Sequence, residues 1–131
     1  MSQRKIDYYE LSFDEERQVA VKMWEAIKRE IKRRPYIEVW TLKEKFIKKT
    51  FLMTKDNYQR FIWLNDCILC DFSERCRSCP LYRIDRGLTC GEVGSAYSMV
   101  CNRSVDIETR LAYCDTIIKA IKMLEKPSWR R

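Results

Sequence analysis

The chain is expected to be mainly α: a small helical domain with a metal-supported, cysteine-rich loop segment between helices. Three observations point there. Only three glycines and three prolines punctuate 131 residues, too few for a many-turned sheet. Apolar residues recur at helical spacing behind serine and threonine caps. Five of the seven cysteines crowd into one stretch, Cys67-x2-Cys70, Cys76-x2-Cys79-Pro80 and Cys90. The expected layout is one domain: a basic helical part (1–66), the cysteine-rich segment (67–103), a closing helix (104–126) and a tail (127–131).

Ser12 with Glu15 is a capping-box pattern that opens a first helix, in which Ala20, Met23 or Trp24, Ile27 and Ile31 share a face before Pro35 ends it. The run Lys28-Arg29 to Lys32-Arg33-Arg34 falls in its last turns, where cations complement the helix dipole or offer an anion-binding patch. Tyr36–Trp40 reads as an extended connector. Thr41 with Glu44 repeats the capping signal and opens a second helix to about Thr50, with Leu42, Phe46 and Ile47 facing inward. Lys43, Lys45, Lys48 and Lys49 leave its other side basic. Thr54 caps a third helix, with Tyr58, Phe61 and Ile62 on one stripe, that runs into Cys67. The second and third helices form only a loose helix-turn-helix match, and two ordinary amphipathic helices account for them as well.

Residues 71–103 read as a loop-rich segment turning at Gly87, Gly91 and Gly94, with Leu81 and Tyr82 tucked against the helices. Gly91–Gly94 is not a phosphate loop, because the Lys-Ser/Thr that completes one is absent. A last helix spans about Asp106 to Glu125, with Ile107, Leu111, Cys114, Ile118 and Ile121 as its apolar stripe and Pro127 beyond it. That stripe serves a core or, with little more than two heptads, a short dimer seam. Cys114 on it reads as a small buried hydrophobe, and Cys101 as a buried thiol or a further ligand.

Two C-x-x-C turns can deliver four thiolates to one ion, the tetrahedral set zinc prefers. Cys67, Cys70, Cys76, Cys79 and Cys90 are the candidate ligands, one more than a single zinc uses. An iron–sulfur cluster is the alternative, since it also takes four thiolates and Pro80 follows Cys79 as in bacterial cluster runs. Disulfides fit less well: seven is odd, and Met1–Lys5 leads into no apolar signal segment, so a reducing cytoplasmic setting is expected. A zinc in a four-thiolate shell has no open position and activates no water.

There is no histidine in the chain, which removes every Cys-His or Ser-His nucleophile system and every zinc site with an imidazole ligand. No enzymatic activity is expected. The formal charge of +7 favours an anionic partner, and a zinc on four thiolates lowers it only to about +5. Arg75, Arg77, Arg83 and Arg86 surround the cysteines and either meet phosphate or carboxylate or balance the sulfurs. No apolar run approaches the roughly 20 residues that span a bilayer.

The pattern Asn65-Asp66-Cys67-x-Leu69-Cys70-Asp71-Phe72, then Cys76-x-x-Cys79-Pro80-Leu81, Cys90 and Tyr97, resembles small cysteine-rich proteins encoded by bacteriophages and prophages. The resemblance covers roughly residues 62–125 and carries over the same five cysteines. Cys67-x2-Cys70-x5-Cys76 also resembles, over a shorter stretch, the cluster segment of some CRISPR-associated and recombination exonucleases. The phage resemblance implies an accessory protein that acts by binding a host protein or nucleoprotein complex, for example as an anti-CRISPR or other anti-defence inhibitor, as a monomer or small homo-oligomer. Direct DNA or RNA binding through the lysines and arginines is the alternative, and an iron–sulfur accessory role a further one.

Overall fold

The computed structural model describes residues 5–7, 10–52, 79–90 and 92–126, and these are mainly helical. Among the described residues five helices follow in order: α1 (Phe13–Arg33), α2 (Val39–Thr50), α3 (Pro80–Ile84), α4 (Ala96–Cys101) and α5 (Ile107–Lys122). Among the described residues there is no strand beyond one isolated bridge, and no helix is long and apolar enough to cross a membrane.

Helix α1 is the spine. Its capping box is formed in both directions: Glu15 N donates to Ser12 Oγ and Ser12 N donates to Glu15 Oε1, each at 3.2 Å. The expected stripe is buried in full, with Trp24, Ala20 and Ile31 wholly enclosed. Burying a side chain of that kind contributes about 1.5–3 kcal/mol, so this face holds the helix to the domain. Helices α5 and α2 pack on α1, and α5 also carries α3 and α4.

Helix α2 begins earlier than the capping signal at Thr41 implies. Its N-cap is Glu38, and Val39 and Trp40 are its first turn rather than part of an extended connector. Starting there places Val39, Leu42, Lys43 and Ile47 on one buried face, and that burial outweighs a cap at Thr41, which lies exposed within the helix. Phe51 closes the helix, fully buried. It pairs with Ile6 in a parallel bridge, in which Ile6 N donates to Thr50 O at 2.9 Å and Leu52 N to Ile6 O at 2.8 Å. The expected third helix, with its cap at Thr54, lies outside the described residues.

The segment expected to be loop-rich contains two short helices. Pro80 starts α3, where its missing N–H costs nothing. Ser95 caps α4 by accepting from Ser98 N at 3.2 Å, and Ala96 and Val100 bury one side of it. Gly87 and Gly94 turn the chain at φ +70° and +87°, a region that favours glycine, while Gly91 lies outside the described residues. Helix α5 begins where expected, with Asp106 as its N-cap, accepting from Thr109 N at 2.9 Å. Cys114, Ile118 and Ile121 of the expected stripe are buried, and Arg110, Ile117 and Ala120 are buried with them, while Ile107 is 37% exposed and Leu111 half-buried. The buried arc is wider than one apolar stripe because α5 packs against α1, α3 and α4.

Candidate functional site

Of the five candidate ligands, Cys67, Cys70 and Cys76 lie outside the described residues, as do Arg75 and Arg77. Cys79 is the N-cap of α3 and buried; Cys90 is half-buried. A mesh of hydrogen bonds positions them. Ser95 Oγ donates to Cys90 O at 2.9 Å, and buried Asp85 accepts from Ala96 N at 2.5 Å through Oδ2. Arg86 donates to Asp85 Oδ1 at 3.3 Å and to the Gly94 carbonyl, and its guanidinium lies 5.6 Å from the Tyr113 ring centre. Among the described residues no three Cys, Asp or Glu side chains converge. Cys79 and Cys90 suit a tetrathiolate centre chemically, both being cysteines on a braced α3–α4 frame.

Cys101 and Cys114 belong to a different environment. Burial pushes the Cys101 thiol up, opposed by the charges of Lys43 and Arg110 and a hydrogen bond with Tyr97. Burial pushes Cys114 up to about 12, with Asp115 adding to it. Metal ligation and nucleophilic attack need the thiolate, so these surroundings suit buried thiols rather than ligands.

The four lysines of α2 divide. Lys43 was expected on the basic outer face, but it is fully buried. Its Nζ lies 3.0 Å from Tyr97 Oη and over the rings of Tyr97 and Trp24, at 5.0 and 5.6 Å from their centres. Position 43 falls on the arc of α2 that is buried with Val39, Leu42 and Ile47, and the aromatic faces accommodate its charge. Lys48 is exposed and paired with Glu44 at 3.3 Å. Lys45 and Lys49 are exposed and, with Arg29 of α1, rim a groove between α1 and α2 of about 180 Å³. Phe46, Leu42 and Ile27 line the groove between them. Its one acid, Glu30, is held by Arg34 at 2.6 Å and Arg33 at 3.2 Å. The Arg34 bond, with the charges of Arg33 and Lys45, keeps the Glu30 carboxyl below its usual range. Arg29, Lys45 and Lys49 make no ion pair among the described residues, which leaves the groove strongly positive.

Arg83 is exposed on α3, away from that groove, whereas Arg86 is committed to the α3–α4 frame. The sequence signals did not single out Arg29 or Phe46 as site residues. Arg29 was visible only as one member of a basic run, and Phe46 only as an inward-facing apolar residue. Comparison with protein-family models, with curated proteins and with solved structures finds no match.

Proposed function

We propose that this protein is a non-catalytic, zinc-binding accessory protein of the phage type that binds a host nucleic-acid machine or defence complex, such as a CRISPR effector, and inhibits or modulates it. The observation that supports this reading best is the α1–α2 groove, where Arg29, Lys45 and Lys49 stand without ion pairs among the described residues. Unpaired cations clustered on a rigid helical surface steer and hold an anionic partner. The rest is carried by the sequence: a cysteine cluster without histidine, and the phage-type cysteine pattern.

In this reading four of Cys67, Cys70, Cys76, Cys79 and Cys90 hold one zinc, which is structural and takes no part in chemistry. Native mass spectrometry of protein purified anaerobically without added metal tests the metal. One tightly held zinc is expected, and iron with inorganic sulfide would move the iron–sulfur alternative to first place. Affinity purification from host cells tests the activity: one host nucleic-acid protein should copurify in stoichiometric amount. Its absence would refute the accessory role.

A further inference from the structure

We propose that the α1–α2 groove is a binding site for single-stranded nucleic acid, with Arg29, Lys45 and Lys49 on phosphates and a base stacked against Phe46. This deepens the accessory reading by naming what the basic surface touches: an exposed strand of the host machine.

The three cations set the first requirement, since phosphate neutralisation supplies most of the sequence-independent affinity for nucleic acid. Lys45 and Lys49 are one helical turn apart on α2, and Arg29 faces them from α1, so the charges flank the groove from both sides. Each is exposed, and Glu30, the only carboxylate lining the groove among the described residues, is already bound by two arginines. Between the cations lies an apolar floor with one half-buried aromatic ring, Phe46. Cations that track a backbone beside an aromatic platform are the combination by which single strands are held without sequence readout. A duplex keeps its bases stacked inside and leaves Phe46 without a partner.

The groove between α1 and α5 provides a contrast. Lys28, Arg29, Lys32 and Lys122 line it against Glu25 of α1 and Glu108 and Asp115 of α5, and Lys28 is taken by Asp115 at 2.7 Å, so its charge is nearly balanced; Arg29 borders both grooves, whereas Lys45 and Lys49 line the α1–α2 groove and not this one. Trp40, although exposed, lies about 140° around α2 from Lys45 and belongs to another face.

The test is fluorescence anisotropy of the full chain with a labelled single strand of about 16 nucleotides, as DNA and as RNA, across a salt series. Three phosphate contacts give a slope of log K against log salt of about −2. Lys45→Ala with Lys49→Ala should reduce that slope by about 1.4 and weaken binding about tenfold or more at low salt. Phe46→Leu should weaken binding about tenfold with the slope unchanged. Lys119→Ala, the loss of a single charge on the exposed side of α5, should leave binding within about twofold. No binding at low salt, equal loss from Lys119→Ala, or a duplex bound as tightly as the strand would each overturn the proposal. A host protein that still copurifies after nuclease digestion, from a chain that ignores single strands, would overturn it while the accessory reading stands. Strand binding that follows these variants without any copurifying host protein would support it and remove the accessory reading.

Discussion

Arg110 is the most exacting position in the core. Its side chain is fully buried in α5, and its guanidinium donates to Val100 O at 3.0 Å through Nε and to Pro35 O at 2.8 Å through Nη1. One residue therefore ties the end of α4 and the α1–α2 connector to α5. Hydrogen bonds from a charged donor contribute about 1.5–3 kcal/mol each, so the two together contribute about 3–6 kcal/mol. Against this stands Nη2, buried with no hydrogen-bond partner, at a cost of about 1–3 kcal/mol. The net loss expected for Arg110→Met, which roughly preserves volume, is about 3 kcal/mol, or a fall in Tm of roughly 10 °C for a chain of this size. Urea unfolding followed by far-ultraviolet circular dichroism measures it. Arg110→Lys should be destabilised as well, because one ammonium cannot reproduce a fork that reaches two carbonyls. An Arg110→Met variant within about 0.5 kcal/mol of the parent would show that desolvation cancels both bonds and would refute the reasoning.

Three further predictions concern other parts of the chain. Ser12→Ala removes the reciprocal cap of α1 and should cost about 1 kcal/mol; the Glu15 carboxyl, held low first by the Ser12 hydroxyl, should titrate higher by NMR. Stability should be insensitive to the Cys114 thiol below pH 9, where both states keep the proton, and then fall as the unfolded chain ionises first, by about 1.4 kcal/mol per pH unit towards pH 12. Cys114→Ala should flatten that alkaline decline in chemical unfolding, and identical slopes would contradict the burial argument. Cys79→Ser separates metal from packing, because serine is itself a favoured N-cap and α3 has no side-chain cap bond at that position. We expect Cys79→Ser to fold poorly and lose zinc while Cys101→Ser does neither; equal tolerance in circular dichroism and metal content would remove the metal from the account.

Local signals were enough for the elements whose determinants are close in sequence. Ser12 and Glu15 sit three apart and cap each other, and the stripe from Ala20 to Ile31 lies on one helix, so both were legible before any fold was known. Asp106 at the head of α5 was legible for the same reason. The start of α2 was not: Thr41 with Glu44 carries the capping pattern, yet the helix begins from Glu38, which makes no side-chain cap bond, because Val39 is buried against the rest of the domain.

At the candidate site the division is sharper. Composition alone established the excess of positive charge, the absence of histidine and the clustering of cysteine, because these are counts and spacings that no packing alters. Tertiary structure decided which cations open onto a groove. Lys43, Lys45, Lys48 and Lys49 look alike in sequence, yet one is enclosed by Trp24 and Tyr97, one is neutralised by Glu44, and two open onto a groove completed by Arg29 from another helix. Arg110 and Lys43 became core residues for the same physical reason. A buried cation requires acceptors or aromatic faces that lie far off in sequence, and only the packing of α1, α2, α4 and α5 brings them into range.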